Sequence, residues 1–331
     1  MSASREFIIP ISPLRYPGGK RKLAHVVHSL LELDSEPAEL LVEPFVGGAA
    51  VAISFLENTD ARIAIADADP LVATFWKVVF SAKAPDLANM VLETKPTLDL
   101  WRQTRASKLT SDLGRAYKCL FLNRTSFSGI LNKRAGPIGG LEQTSNYGLG
   151  CRFNAEALAA RILTLSEYRD RVIMLGCQDW RDTASVIRKK VRGSKRRKLV
   201  WYLDPPFFEK ADRLYQKVFT KTDHIRLSRQ IDRLPGRFIL SYDDVPSARA
   251  MYCKHPGFMR INLSYNARVD RDERLLASEL LVSNIITGLR ARNVLRPMGQ
   301  LIALPIRGQA SHLVLCVNQT DAPIRSIANC H

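Results

Sequence analysis

The segment LVWYLDPPFFEK, residues 199–210, ends an apolar run with an acidic residue, two prolines and aromatic side chains. Proline fixes φ and lacks a backbone N–H group, so Asp204, Pro205, Pro206 and Phe207 should form a stiff corner that presents a carboxylate, carbonyl oxygens and a ring face. Such a corner can hold a planar group that donates hydrogen bonds, for example the exocyclic amine of a nucleobase. By itself, the tripeptide Asp-Pro-Pro more often marks only a strand that ends in a proline-rich turn.

A second candidate site lies in LLVEPFVGGAAVAISFLE, residues 40–57, where the pattern predicts a strand, a glycine turn and a helix in succession. Gly47 and Gly48 would allow close approach of the backbone to a nucleotide. Asp67 ends the next predicted strand about twenty residues later, where a carboxylate can accept hydrogen bonds from both ribose hydroxyls. NAD, FAD and S-adenosylmethionine all fit, although the lack of a full GxGxxG pattern disfavours a dinucleotide. The alternative is a glycine-rich turn with an incidental aspartate.

A third candidate is SPLRYPGGKRKLA, residues 12–24. A Pro-Gly-Gly turn followed by Lys20 at the start of a helix presents N–H groups and an ammonium group, which together can receive a carboxylate. S-adenosylmethionine carries a carboxylate at one end and a ribose near the other, so the two segments together favour this cofactor. A solvated lysine after a tight turn is the alternative.

The net charge of +17 indicates a polyanionic partner, most simply nucleic acid, with a basic but unengaged surface as the alternative. Part of this charge lies in RKKVRGSKRRK, residues 188–198, which includes Lys195, Arg196 and Arg197. Because this run precedes the strand that leads to Asp204, we expect a surface loop close to the active face. It is either a loop that contacts phosphates or a solvated linker.

The remaining composition places few demands on the fold. A chain of 331 residues can form one large domain or two smaller ones. Six scattered cysteines predict neither a disulfide framework nor a metal site, and they favour a reducing cytoplasm. No apolar stretch has the length of a membrane span, and the first residues lack the core of a secretion signal.

Short apolar runs alternate with helical patterns, which predicts an α/β fold with a largely parallel sheet. The alternation breaks between residues 84 and 153, where a helical part is followed by a stretch rich in Gly, Asn, Ser and Pro, and we interpret this region as an inserted second domain. The predicted strands are Leu40–Glu43, Arg62–Ala66, Arg171–Leu175, Leu199–Leu203, Arg237–Ser241, Met259–Leu263 and Glu279–Ser283, with two unplaced strand-like runs at Leu301–Pro305 and His312–Val317.

Together these motifs resemble the Dam-type family of DNA adenine N6-methyltransferases. The motifs that carry the resemblance stand in the family's order over residues 13–284, and several in sequence are far more specific than one. They are RYPGGK (15–20), EPFVGGAAV (43–51), DADPLV (67–72), LNRTSFSGIL (122–131), GCQDW (176–180), DPPF (204–207), ILSYDD (239–244) and ELLVSN (279–284).

The resemblance implies a Rossmann-like class I methyltransferase sheet of seven strands, the last antiparallel, with a mostly helical target-recognition domain inserted after the second strand. The expected division is a catalytic S-adenosylmethionine-binding domain at 1–83 and 154–295, a recognition domain at 84–153 and a C-terminal extension at 296–331. The break in the α/β alternation marks the same insertion independently.

The resemblance also implies roles by position. An exposed Phe127 in a Gly/Ser-rich loop would agree with a wedge that enters the duplex, and a local core residue is the alternative. The residues implied to bind the cofactor are Tyr16, Lys20, Glu43, Phe45, Gly47, Gly48, Asp67, Asp179, Trp180 and Asp204. Those implied to hold the target base are Asp204, Pro205, Pro206 and Phe207. Those expected to contact DNA are Arg124, Thr125, Ser126, Phe127, Ser128, Asn132, Lys133 and Arg134, with Lys195, Arg196 and Arg197 from the basic run.

Two residues depart from the family pattern. Ala49 replaces the last glycine of the loop motif, and Phe207 replaces the usual tyrosine, so the stacking face is kept while one hydroxyl is lost. Asp204 and the Pro205 carbonyl can still accept the two N6 hydrogens of a flipped adenine and direct its lone pair at an activated methyl group.

The predicted activity is therefore methyl transfer from S-adenosylmethionine to adenine N6 in double-stranded DNA, by a cytoplasmic, nucleoid-associated monomer or weak dimer that has no membrane partner and could serve a restriction or defence system. Methylation of RNA adenine or of cytosine N4 is one alternative. A basic DNA-binding protein on a degenerate methyltransferase fold is the other, against which Lys20, Asp67 and Asp204 argue.

Overall fold

A seven-stranded sheet forms the centre of the computed structural model, which describes residues 7–15, 21–34, 36–132, 134–208, 219–264, 276–295, 302–305 and 312–315. The strands are β1 (Leu40–Glu43), β2 (Arg62–Asp67), β3 (Val172–Cys177), β4 (Leu199–Leu203), β5 (Arg237–Asp243), β6 (Phe258–Ser264) and β7 (Leu276–Ser283). Their spatial order is β3-β2-β1-β4-β5-β7-β6. The pairs among β1 to β5 are parallel, and β7 runs antiparallel to both β5 and β6.

Helices cover both faces of this sheet, which is why the central strands read as continuous apolar runs rather than alternating ones. The helices are α1 (Arg21–Asp34), α2 (Ala50–Asn58), α3 (Pro70–Val79), α4 (Ala84–Leu92), α5 (Leu98–Ala106), α6 (Asp112–Thr125), α7 (Ala155–Ser166), α8 (Trp180–Lys190), α9 (Lys221–Gln230), α10 (Pro246–Tyr252) and α11 (Asn284–Ala291).

Successive residues of each strand point to opposite faces and so divide the interior into two hydrophobic clusters. Leu41 and Val200 point to the cluster that includes residues of α1 to α4, α6, α7 and α11. Val42 and Trp201 point to the opposite cluster, under α8, α9 and α10. The predicted α/β fold with seven strands, the last antiparallel, is confirmed by this topology.

Side-chain caps set the start of several helices. Asp69 accepts from the N–H of Leu71 and is followed by Pro70 in the first turn of α3, a combination that favours a helix start. Ser111 caps α6 in the same way, by accepting from Gly114. Thr220 and Asp223 form a capping box at α9.

The region expected to be an insertion holds α4, α5 and α6, followed by a mostly irregular stretch with a 3₁₀ turn at Phe127–Gly129. Helix α6 packs against α3, and α4 packs against α7, so these helices share a core with one face of the sheet. The boundaries of the expected domain at residues 84 and 153 stay a prediction.

The predicted strands agree with the observed ones to within three residues at each end. The two C-terminal strand-like runs form a separate antiparallel pair, β8 (Ile302–Pro305) with β9 (His312–Leu315). Within the described part of the chain, no helix is both long and apolar enough to cross a membrane.

Candidate active site

Three acidic residues end three neighbouring strands of the sheet. Glu43 is the last residue of β1, Asp67 is the last residue of β2, and Asp204 follows the last residue of β4. Because β1 lies between β2 and β4 and all three run parallel, these residues lie at one edge of the sheet. In open α/β sheets, ligands bind at this carboxyl edge, so the structure brings together the residues predicted from separate motifs.

Glu43 is hydrogen-bonded to α2, the helix that follows the glycine loop. Its Oε2 accepts a hydrogen bond from the N–H of Ala52 at 2.9 Å, inside the protein. Burial raises the pKa of Glu43 well above its usual range, and the charges of Asp204 and Asp67 raise it further, although the bond from Ala52 opposes this. The cluster therefore favours a proton on Glu43 or a cation close by.

Asp67 shapes the glycine loop. Its Oδ2 accepts from the N–H of Gly47 at 2.9 Å, and its Oδ1 accepts from the N–H of Asp69 at 2.8 Å. Burial raises its pKa to about 7, the nearby Asp69 adds to the increase, and the backbone hydrogen bonds limit it. Gly47 has a φ of 42°, in the region that favours glycine. The backbone of the glycine loop is therefore held against the end of β2.

The indole of Trp76 also holds the glycine loop. Trp76 Nε1 donates to the carbonyl oxygen of Gly47 at 2.9 Å. Gly48 follows, and Ala49 adopts a left-handed φ of 54°, so the backbone here has the conformation for which glycine is preferred. Ala49, which replaces the family's glycine, therefore holds a left-handed conformation that glycine would adopt at lower cost.

An aromatic cluster borders the Asp-Pro-Pro-Phe corner. Phe45 meets Phe219 edge to ring at 5.6 Å between centroids, and Phe219 meets His224 at 4.7 Å. His224 also stacks on Phe208 at 3.8 Å and lies 2.8 Å from the hydroxyl of Tyr242 through Nδ1. Burial lowers the pKa of His224 to about 4. The sequence did not predict that these residues lie near the corner. Phe219 and His224 lie outside the motifs, and Tyr242 lies in ILSYDD without a predicted role.

A chain of hydroxyl groups orients Asp204. The Ser241 hydroxyl donates to Asp204 Oδ1 at 2.9 Å, and it lies 2.9 Å from the buried hydroxyl of Tyr202. Pro205 is buried, while Pro206 and Phe207 are half-buried at the site. Ser241 lies in the motif ILSYDD, and no role was predicted for it. Its position near the carboxyl end of β5, the strand next to β4, is the signal that could have identified it.

The predicted adenine-binding residues lie beside Asp67. The Gln178 N–H donates to the Asp67 carbonyl at 3.1 Å, which joins this segment to the end of β2. Asp179 caps α8 and pairs with Arg181 at 2.5 Å. Burial alone would raise the pKa of Asp179, but its hydrogen bonds lower it overall. Trp180 is only 4% exposed and packs in the core beneath α8, so its contact with a nucleotide stays a prediction.

Two predicted cofactor residues, Tyr16 and Lys20, lie outside the described residues. The segment just before them is hydrogen-bonded to the end of α6. Asn123 bonds to both the N–H and the carbonyl of Arg15, while Arg124 donates through Nε to Pro13 at 2.6 Å and through Nη2 to Ser12 at 3.1 Å. Arg124, predicted to contact DNA, thus holds the chain that leads into the first cofactor motif.

The loop after α6 presents one large aromatic side chain. Phe127 is 67% exposed, which excludes the alternative of a local core residue. Ser128 beside it is exposed and has a φ of 53°. Thr125 and Ser126 are buried: the hydroxyl of Thr125 donates to Phe121, and the Trp101 indole donates to Ser126. The prediction that these two side chains contact DNA is corrected accordingly, since they shape the loop from within.

The remaining residues of this loop that were predicted to contact DNA differ in exposure. Asn132 is buried and accepts from the N–H of Arg134 at 2.9 Å, so it supports the turn, while Arg134 is exposed. Lys133 lies outside the described residues.

The expected position of the basic run is wrong. Lys195, Arg196 and Arg197 lie in a 3₁₀ turn that precedes β4, and the Lys198 carbonyl accepts from the N–H of Glu39 just before β1. A segment that precedes a parallel strand lies at its amino end, about 16 Å from the carboxyl end for five residues. These three residues therefore lie at the edge opposite Asp204, which is why we do not include them in the DNA-facing surface.

No group of three or more His, Cys, Asp or Glu side chains that could hold a metal ion occurs among the described residues. Four cysteines within that part of the chain, Cys119, Cys151, Cys177 and Cys253, are free thiols.

One family model matches part of the chain. Residues 16–135 match the model of the D12 class N6 adenine-specific DNA methyltransferases. The resemblance read from the motifs is confirmed. This D12 segment contains the glycine loop, Asp67 and the Phe127 loop, and it ends before Asp204.

Two other comparisons are less informative. No curated protein matches the chain. Among solved structures, SMU.776, a candidate methyltransferase complexed with SAH, matches at 12% identity and a TM-score of 0.34. That match covers 80% of this chain and 48% of the other, so this chain spans about half the length of the matched protein.

Proposed function

We propose that this protein transfers a methyl group from S-adenosyl-L-methionine to N6 of an adenine that is flipped out of double-stranded DNA. The D12 segment supports adenine and DNA as the substrate class. The observation that carries the proposal is the placement of Asp204: Ser241 orients its carboxylate, and the neighbouring parallel strands end in Glu43 and Asp67.

The carboxylate acceptors at the carboxyl edge fit S-adenosylmethionine. This cofactor supplies a methyl group on a positively charged sulfur. Asp67 can accept from the ribose hydroxyls while its carboxylate keeps the glycine loop in place. Burial, with a smaller contribution from neighbouring carboxylates, raises the pKa values of Glu43 and Asp67, and the negative charge of these carboxylates also favours a positively charged ligand. Lys20 and Tyr16 are proposed to hold the methionine end.

The corner at Asp204 suits an adenine amine. The carboxylate and the Pro205 carbonyl can accept one N6 hydrogen each, which draws the nitrogen toward tetrahedral geometry and localises its lone pair. Phe207 offers a ring face for the base. Positioning and electrostatics then supply most of the rate enhancement, and no covalent bond to the protein is needed.

A base inside a duplex cannot reach a buried corner, so the adenine must leave the helix. Phe127, exposed on the loop after α6, is proposed to enter the duplex and occupy the space that the base leaves. The glycine loop is bonded to α3 through Trp76, and the Phe127 loop follows α6, a helix that packs against α3. A single rigid unit thus carries both proposed sites.

The test combines sequencing with one variant. Long-read sequencing of DNA from a host that expresses the protein should show N6-methyladenine in one sequence context. Asp204→Ala should abolish this signal while calorimetry still detects S-adenosylmethionine binding, and Asp86→Ala, at an exposed position on α4, should behave as the wild type.

Three outcomes contradict the proposal. Methylcytosine or methylated RNA instead of N6-methyladenine would change the substrate. Loss of cofactor binding together with methylation in Asp204→Ala would mean that the role of Asp204 is wrong. No heat of cofactor binding in the wild type would indicate a non-catalytic DNA-binding protein.

A further inference from the structure

A pocket of about 290 Å³ lies between the turn that joins α5 to α6 and the Phe127 loop. Four basic residues line it: Arg105, Lys108, Arg115 and Lys118. We call it the basic pocket. Its lining contains no carboxylate among the described residues, and the motifs of the sequence assigned it no role. A concave surface with four cations and no acid favours an anionic ligand.

Two of the cations are fixed by the turn itself. Lys118 Nζ donates to the carbonyl oxygens of Arg105 at 3.0 Å and Ser107 at 2.7 Å, and Arg105 Nη1 donates to Ala135 at 2.5 Å. These bonds hold the side chains in place, but neutral carbonyl groups do not cancel their charges. Burial, with the nearby charge of Arg105, lowers the pKa of Lys118. The pocket is therefore built before any ligand arrives.

The other two cations are available at the rim. Lys108 is exposed and makes no hydrogen bond or ion pair with the described residues, and Arg115 uses Nε for the Leu109 carbonyl at 3.1 Å. The acids of the neighbouring helices form ion pairs with other cations, Asp112 with Lys77 at 2.7 Å and Asp99 with Arg102 at 3.2 Å. The bond to Lys77 lowers the pKa of Asp112, and the nearby charge of Arg115 adds to this effect. Of the two cations at the rim, Lys108 is thus left for a ligand.

The position of the pocket relates it to the DNA. Ser126 and Ile130 line it and lie on either side of the exposed Phe127 in the chain. Leu71 also lines it and lies two residues after Asp69, in the first turn of α3. The pocket is therefore lined by the loop that carries the ring proposed to enter the duplex, and by the start of the helix that follows Asp67.

We propose that the basic pocket holds one phosphate group of the DNA backbone, next to the base step that Phe127 enters. This inference rests on the proposed function. Phosphate groups are contacted mainly by polar side chains such as Arg and Lys, both of which line the pocket, and such contacts set register without reading sequence. A phosphate held here fixes the duplex so that Phe127 meets one base step.

The test measures the salt dependence of duplex binding by fluorescence anisotropy, with a fluorescein-labelled duplex. Lys108→Gln and Arg115→Gln should each weaken binding several-fold, and the double variant should reduce the slope of log K against log salt by about 0.9, the value for the loss of one phosphate contact. Lys254→Gln and Arg233→Gln, two exposed positions before β6 and β5 at the opposite edge of the sheet, serve as matched controls and should leave the slope unchanged.

A second measurement locates the phosphate. Single neutral methylphosphonate linkages are placed around the methylated adenine. One position should weaken binding by the wild type and leave the Lys108→Gln/Arg115→Gln double variant unaffected, because that variant has already lost the contact.

The outcomes separate the two proposals. If the wild type methylates and binds DNA but the pocket variants match the controls in slope, the phosphate site is wrong and the methyltransferase proposal stands. If the wild type binds no duplex, both fail. Thermal melting of each variant shows whether the fold is retained, and Lys108→Gln, at a solvent-exposed position, keeps the test decisive even if Arg115→Gln does not fold.

Discussion

The side chain of Asn123 and the backbone of Arg15 form a reciprocal pair of hydrogen bonds across 108 residues of chain. Asn123 Oδ1 accepts from the Arg15 N–H at 2.6 Å, and Nδ2 donates to the Arg15 carbonyl at 2.7 Å. The same Nδ2 donates to Gly129 at 2.8 Å. Gly129 has a φ of 73°, and a Cβ there would lie 2.5 Å from the Arg15 carbonyl. The end of α6 and the segment before the first cofactor motif therefore form one closely fitted unit.

Asn123→Ala should destabilise the protein by about 1–3 kcal/mol, because the Arg15 backbone groups lose their partners in a partly buried position. It should also weaken S-adenosylmethionine binding, since Arg15 directly precedes Tyr16 and Lys20, the residues proposed to hold the methionine end. Calorimetry of unfolding and of cofactor binding measures both. Asn89→Ala, at an exposed position on α4, is the control. Unchanged cofactor affinity in Asn123→Ala would show that the two regions are not coupled.

Cofactor binding should tighten as the pH rises through about 7, because the ionised form of Asp67 accepts hydrogen bonds from ribose better than the protonated form. Below that pH the affinity should fall by up to about tenfold per unit. Asp67→Asn should flatten the profile, and Asp170→Asn, at a side chain that is 91% exposed, should keep it. A wild-type profile that is flat between pH 6 and 8 would exclude this role for Asp67.

The same carboxyl affects stability with the opposite trend. Because burial raises the pKa of Asp67 in the folded chain, its stabilising contribution is fully present below the ordinary value of 3.8 and is lost as the pH rises through about 7. Unfolding in denaturant at several pH values, compared between the wild type and Asp67→Asn, separates this contribution from that of Glu43.

Ser241→Ala should lower kcat about tenfold, equivalent to about 1.4 kcal/mol, and leave the cofactor Kd unchanged. The reason is that Asp204 loses the hydroxyl that orients its Oδ1. Tyr202→Phe removes only the next hydroxyl in the chain and should have a smaller effect. Ser228→Ala, which removes a hydroxyl bonded within α9, controls for the substitution. Equal rates for Ser241→Ala and the wild type would mean that Asp204 needs no such support.

Phe127→Ala should leave stability within about 0.5 kcal/mol of the wild type, since the ring is largely exposed. Base flipping, measured by the fluorescence of 2-aminopurine at the target position, should fall at least about tenfold because a stacking contact of about 1–3 kcal/mol is lost. Tyr147→Ala removes a ring that is 65% exposed in the same region and should change neither. An unaltered 2-aminopurine signal in Phe127→Ala would remove the wedge role.

The sheet and its acidic edge could be predicted from the sequence because their signals are local. Apolar runs such as LVWYL mark strands buried on both faces, and an acidic residue at the end of each run marks the carboxyl edge. Asp67 and Asp204 were identified in this way, and the structure places them on strands either side of β1.

The remaining contacts depend on residues that are distant in the chain. Ser241 meets Asp204 across 37 residues and Asn123 meets Arg15 across 108, and neither partner carries a local pattern that announces the other. The basic run was predicted to lie at the active face because of its charge. Charge gives no information on strand direction, and it is the direction of β4 that puts Lys195 at the amino edge of the sheet. The sequence also could not predict which side chains of the Phe127 loop are exposed, since Ser126 and Phe127 are adjacent and only Ser126 is buried.

The chain has four tryptophans, all buried, and two of their indoles hold the two loops proposed to bind ligands. Trp76 donates to Gly47, and Trp101 donates to Ser126 just before Phe127. The protein thus carries an intrinsic optical reporter under each loop. In a variant that keeps only Trp76 the emission change on adding cofactor reports on the glycine loop, and in a variant that keeps only Trp101 the change on adding duplex reports on the Phe127 loop, so the order of the two binding events can be followed in time without any attached dye.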